Sequence, residues 1–246
     1  MALVTKKVGL FVGVTAALLA GVSTQVFSLG VDTLDGKHIQ YNVTDDMLLE
    51  ADKDPNNWLM YGRDYESTRY SPLRQINGQN ISDLVPKWNL SFGVIDAQDS
   101  QVTAVNGRLY VTSSQNQVFA LEGTTGKILW SYKRKLPSDL GPKLCCSGVN
   151  RGVIAYGDKV YMATLDTHMV ALNNQTGEVV WEKKLGDYKT GEIFTSMPMV
   201  VKGKLLIGNS GGDLGANAGT IYAMDPETGN EAWKTNTVPV TGKEDI

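Results

Sequence analysis

Cys145 and Cys146 are the only cysteines in the chain, and they are neighbours. Adjacent cysteines can pair only by closing a small ring that distorts the peptide between them. Such a bond closes almost no loop, so it adds little stability by restricting the unfolded chain. Strain of this kind is found at functional sites more often than at structural ones. The other reading is two unpaired thiols that pack as small apolar groups. Arg151 follows shortly after; its planar fork suits a carboxylate or a similar oxygen pair, or else it is an ordinary surface arginine. The stretch Ser210-Gly211-Gly212-Asp213-Leu214-Gly215 carries too many glycines for a regular strand interior. Glycine lets backbone amides approach an anion closely. The spacing does not give Gly-x-Gly-x-x-Gly and no βαβ unit surrounds it, so it is no dinucleotide fingerprint. Asp213, on the stretch alone, is an aspartate in a glycine-rich hairpin. His38 and His168 are the only histidines and lie far apart, which excludes a multi-histidine metal cluster.

Which cysteine reading holds depends on the compartment. Lys6 and Lys7 precede an apolar run over residues 8–22 interrupted only by Thr15, and no acidic residue occurs before Asp32. A basic start followed by a short apolar stretch reads as an export leader, with a weak cut after Ser28. The run is short for a membrane span, which needs about 20 apolar residues; an uncleaved anchor is the alternative, and only then is the membrane a partner. Export implies a periplasmic, oxidising environment, where disulfides persist, and favours the closed ring. Over the 246 residues, 23 Lys+Arg against 26 Asp+Glu leave a net charge of −3, so the basic face that phosphate neutralisation requires is not expected. The 26 Gly and 10 Tyr suit short strands and tight turns better than helices.

The elements that must position these residues are repeats. Ala120-Leu-Glu-Gly-Thr-Thr-Gly126-Lys-Ile-Leu-Trp130 returns as Ala171-Leu-Asn-Asn-Gln-Thr-Gly177-Glu-Val-Val-Trp181. It returns again as Ala223-Met-Asp-Pro-Glu-Thr-Gly229-Asn-Glu-Ala-Trp233. The period is roughly 50 residues, the size of a stacked supersecondary unit. Each phrase parses as strand, Thr-Gly turn, strand. A further strand stands upstream of each, at residues 108–112, 159–163 and 204–208, following Asn-Gly, Gly-Asp and Lys-Gly turns. Four short antiparallel strands per unit make a β-propeller blade. Trp88 is expected to end an earlier, less regular blade. Trp130, Trp181 and Trp233 read as structural rings stacked between blades, not cofactor platforms.

The repeated phrase resembles the tryptophan-docking motif of the quinoprotein dehydrogenases. Residues 58–62 (Trp-Leu-Met-Tyr-Gly), 68–73 (Thr-Arg-Tyr-Ser-Pro-Leu) and 75–77 (Gln-Ile-Asn) resemble the opening of the methanol and ethanol dehydrogenases that use pyrroloquinoline quinone (PQQ). The resemblance runs over residues 54–239. It implies an all-β fold of four-stranded propeller blades, about half of an eight-bladed ring. Residues 1–28 would be the leader, 29–57 an N-terminal extension and 58–246 the partial propeller. Cys145-Cys146 followed by Val149-Asn150-Arg151-Gly152 matches the family pattern, which implies a disulfide ring against one face of PQQ and Arg151 at a quinone oxygen or carboxylate. A tryptophan from a later blade would cover the other face. Thr195, in Thr195-Ser196-Met197-Pro198, matches a family threonine that hydrogen-bonds the cofactor, with Met197 where the family has alanine. Ser210, Gly211 and Gly212 match cofactor contacts, and Asp213 matches the glutamate that ligates calcium. Asp99, in Gln98-Asp99-Ser100, likewise stands where the family has a PQQ-contacting glutamate.

The resemblance implies oxidation of a primary alcohol with PQQ and Ca2+, and electron transfer to a cytochrome c. The general-base aspartate is expected in later blades, beyond Ile246, so the chain alone is expected to be inactive. Two other readings compete. One is a non-enzymatic propeller scaffold of the cell envelope, which needs neither the cysteine pair nor Arg151. The other is a sugar-oxidising quinoprotein, which should lack the adjacent cysteines.

Overall fold

The computed structural model describes residues 33–34, 37–38, 40–144, 146–211 and 218–238. The expected leader at residues 1–28, together with Cys145, Gly212 and Asp213, lies outside the described residues. The chain divides into two units, Met1–His38 and Ile39–Ile246. In the first, β1 (Thr33–Leu34) and β2 (Lys37–His38) pair as a short antiparallel hairpin.

The second unit starts with a covering segment. Its helix α1 (Asp45–Leu49) is capped by Thr44, whose hydroxyl accepts from the Met47 N–H at 3.3 Å. Leu48, Ala51, Leu59 and Met60 of this segment are buried. Val43 bridges to Gly157, and Trp58 bridges to Ala104. Three four-stranded antiparallel meanders follow. Blade one is β3 (Thr103–Val105), β4 (Arg108–Ser113), β5 (Gln117–Glu122) and β6 (Ile128–Lys133). Blade two is β7 (Ile154–Tyr156), β8 (Lys159–Ala163), β9 (His168–Asn173) and β10 (Val179–Lys184). Blade three is β11 (Met199–Val201), β12 (Lys204–Gly208), β13 (Thr220–Met224) and β14 (Glu231–Asn236). These are the strands expected from the repeat, with a three-residue first strand added to each.

Local chemistry sets the turns. Val105 pairs with Arg108 and Val201 with Lys204. That leaves two-residue loops whose residues, Asn106-Gly107 and Lys202-Gly203, all have positive φ. Such loops match the right-handed twist of the strands they join. In the Thr-Gly turns an acceptor side chain collects the N–H groups that the bend leaves over. Asn173 Oδ1 accepts from Gln175 and Thr176, and Asp225 Oδ1 accepts from Glu227 and Thr228. The threonine hydroxyls of all three turns accept a further backbone N–H, from Lys127, Glu178 and Asn230.

Each such turn receives the tryptophan of the preceding repeat. The indole N–H donates to a backbone carbonyl at 3.0 Å in each case: Trp88 to Gly123, Trp130 to Asn174 and Trp181 to Pro226. The ring lies flat over the turn glycine, so a Cβ on Gly126, Gly177 or Gly229 would sit 2.5, 2.5 or 2.7 Å from it. Glycine is required there by contact as well as by its positive φ. Tyr110 and Tyr161 flank Trp130 and Trp181, with ring centroids 5.9 and 5.8 Å apart. Trp88 docks as the others do, but no strand surrounds it. The earlier blade is therefore not formed among the described residues; a docking indole needs only the facing turn, not a sheet of its own. Blades one and two are also joined by a buried ion pair. Arg134 Nε and Nη2 donate to the two Asp166 oxygens at 2.5 and 2.8 Å, and Nη2 also reaches Glu182 at 3.0 Å.

Candidate functional site

The first strand of blade two, β7, neighbours both β3 and β11 across the blades, and the segments leading into the three strands are stitched together. Gln101 N–H donates to Arg151 O at 3.2 Å, and Arg151 N–H donates to Thr195 O at 2.9 Å. Thr103 Oγ1 donates to Val153 O at 2.6 Å. The rim just ahead of the first strands is thus one continuous strip drawn from three blades.

Three of the expected site residues meet on this strip. Arg151 Nη1 donates to Thr195 Oγ1 at 2.7 Å. Arg151 Nη2 lies 3.7 Å from Asp99 Oδ2, with the two side chains 38% and 46% exposed. The backbone under Arg151 is held from both sides. Asn150 is buried, donates to Ala163 O at 3.0 Å and accepts from the Gly152 N–H at 3.1 Å. Gly152 has φ 128°, and a Cβ on it would lie 3.0 Å from Gln101 O and 3.3 Å from Met197 Sδ. Met197, which stands where the resemblance has alanine, therefore packs against Gly152, the residue after the arginine. Ser210 donates through its N–H and its hydroxyl to Ile193 O, at 2.8 and 3.0 Å. That ties the start of the glycine-rich stretch two residues from Thr195, and Gly211 beside it has φ 106°.

Cys146 is exposed, and no cysteine among the described residues is free. Among the described residues no three His, Cys, Asp or Glu side chains are grouped to hold a metal; Asp213 is not one of the residues described. The sequence analysis missed Asp96. Its carboxylate accepts from Ser147, next to Cys146, and from the Ala97 N–H at 2.8 Å. These hydrogen bonds, the Ser147 hydroxyl first, hold the Asp96 carboxyl below the usual carboxylate range. The only signal in the sequence is an acid three residues before Asp99. Gln101 was passed over too: its side chain donates to Met60 O at 3.2 Å and tethers the covering segment to the rim.

Residues 58–245 match the family described as PQQ, glucose/ethanol/alcohol dehydrogenase, β-propeller domain. The chain belongs to this family. The quinoprotein ethanol dehydrogenase of Pseudomonas aeruginosa is 43% identical over 206 residues, which are 80% of this chain and 33% of the relative. The 1-butanol dehydrogenase (quinone) of Thauera butanivorans is 42% identical over 199 residues, 78% of this chain and 32% of that one. Among solved structures, quinohemoprotein alcohol dehydrogenase ADHIIG from Pseudomonas putida HK5 superposes with a TM-score of 0.78 at 36% identity, covering 82% of this chain and 30% of that one. A europium-containing methanol dehydrogenase gives 0.74 at 37%, covering 78% and 34%. The chain spans about a third of the length of the curated relatives it matches. In this chain, the strip that holds Asp99, Arg151 and Thr195 is where the segments leading into three blades converge.

Proposed function

We propose that this chain contributes the Asp99–Arg151–Thr195 wall of a PQQ site in an enzyme that oxidises primary alcohols. The observation that carries the reading is the Arg151 guanidinium, held by a neutral hydroxyl at 2.7 Å while its nearest carboxylate partner stands off at 3.7 Å. A cation oriented in this way, without close neutralisation, fits a flat tricarboxylate. Thr195 orients the fork, and its own lone pairs and proton suit a cofactor oxygen. Asp99 balances the positive charge from the far side. Ser210 and the backbone of Gly211 and Gly212 would line the same edge, and Asp213 would supply oxygen to Ca2+. The closed Cys145–Cys146 ring would lie against the cofactor plane. When bound, PQQ supplies the ortho-quinone that accepts the hydride, and the metal polarises it. Export to the periplasm and a cytochrome c acceptor complete the proposal. The envelope scaffold is disfavoured because no scaffold needs this converging polar trio.

The test is equilibrium dialysis of the full chain against PQQ with Ca2+ present. Binding is expected, with Arg151→Ala weakening it on the order of tenfold, the worth of one charge-assisted hydrogen bond. Absence of binding to the unaltered chain at millimolar PQQ would overturn the reading.

A further inference from the structure

We infer that Asp96 is the positioning residue of the cysteine pair, fixing the backbone that leaves Cys146. The inference rests on the proposed closed ring. Asp96 receives the Ser147 hydroxyl, and the Gln115 side chain and the Gly148 N–H also point at its carboxylate. Gln115 N–H in turn donates to Gly148 O at 2.6 Å. Gln115 and Asn116 both have positive φ, 62° and 56°, which bends the turn between β4 and β5 to aim that N–H at the loop. Ser147 itself is left-handed, with φ 71°. Gly148 permits the approach: a Cβ there would lie 3.2 Å from Asp96 Oδ2.

Packing does not hold this loop on its other side. A cavity of about 520 Å³, lined by Asp96, Gln115, Leu140, Leu144, Ser147 and Leu165, opens beside it. On that side hydrogen bonds set the loop's position, and apart from the Gln115 N–H to Gly148 O bond they converge on one carboxylate. The same two segments are laced again a few residues on, where Asp99 faces Arg151 and Gln101 N–H meets Arg151 O. Asp96 thus registers the backbone after Cys146 against the arginine across a pair of ties.

The measurement is the rate at which a water-soluble phosphine reduces the pair in the full chain, followed by thiol titration. Phosphorus attacks one ring sulfur and the S–S bond breaks. Water then supplies the oxygen of the phosphine oxide and the two protons of the thiols. Asp96→Asn and Ser147→Ala should each speed reduction on the order of tenfold, and the double variant should add little beyond either. The unaltered chain should approach the rate of Asp96→Asn only in acid, at a pH below the ordinary carboxylate range, where Asp96 protonates. The ratio to Asp96→Asn is the readout, because general loss of structure would not follow that profile. Free thiols in the untreated chain overturn the ring and this inference with it. A closed ring whose rate and pH profile are unmoved in Asp96→Asn overturns this inference alone and leaves the Arg151 site standing.

Discussion

At the Thr-Gly turns, each blade receives the same residue from the preceding segment: Trp88, Trp130 and Trp181 each cover a turn glycine and donate to a carbonyl. At the rim ahead of the first strands, equivalent approaches present three different residues, Gln101, Arg151 and Thr195. The backbone tie between neighbours persists there while the side chains diverge. The outer wedge is buried at Trp130 and half-buried at Trp88 and Trp181, and all three indole N–H groups are partnered, as stacking demands. The rim leaves Asp99 and Arg151 part-exposed and incompletely neutralised, which costs stability and suits an anionic ligand. Repetition marks what every blade needs, and departure from it marks where the proposed ligand would be met.

The sharpest break of that contrast compares two tryptophans. Trp130 is 8% exposed and Trp233 47%. Trp130→Ala should cost roughly 3–5 kcal/mol, and Trp233→Ala under about 1 kcal/mol, measured by urea denaturation of the same chain. Equal costs would mean that docking into the next blade is not what gives the ring its value. Next comes Gly177→Ala, which combines φ 74° with a Cβ 2.5 Å from the Trp130 ring; a loss of about 2 kcal/mol is expected.

A smaller effect comes from acid. Burial pushes the Asp166 carboxyl up, but hydrogen bonds from Arg134 and Thr164 outweigh it and leave the carboxyl below its ordinary value. A depressed folded value means that the stability it confers is complete above about pH 5 and is lost as pH falls through the folded value. The urea midpoint should therefore fall on acidification, and Asp166→Asn should flatten that slope. Least of all, Arg151→Ala should change stability by no more than about 0.5 kcal/mol while weakening PQQ binding. A large stability loss there would make the rim part of the scaffold after all.

Much of the fold was legible because its signals are local. A Thr-Gly turn needs an acceptor, a hydroxyl and a residue of positive φ within a few positions, so Glu122 to Gly126, Asn173 to Gly177 and Asp225 to Gly229 announce themselves. The first strands were not legible. Three residues such as Thr103–Val105 are too short to show a period, and their pairing is set by the turn that follows. Trp88 misled for a related reason: its docking is local to a facing turn and does not require the sheet that usually accompanies it. At the site, Asp99, Arg151 and Thr195 were legible through neighbouring motif residues, whereas Asp96 was not. Its partners, Ser147 and Gly148, are distant in sequence and meet it only through the fold.

By itself the sequence determined the three regular blades, the turns that close them and the residues able to meet an anion. These follow from hydrogen bonding and backbone freedom over a few residues. Tertiary structure alone decided that Arg151 takes the Thr195 hydroxyl rather than a closer carboxylate, and that Asp96 holds the exit of the cysteine pair. Those choices depend on how far each blade is rotated against the next. That angle is set by bulky indoles packed on bare glycines, a contact between residues more than forty positions apart.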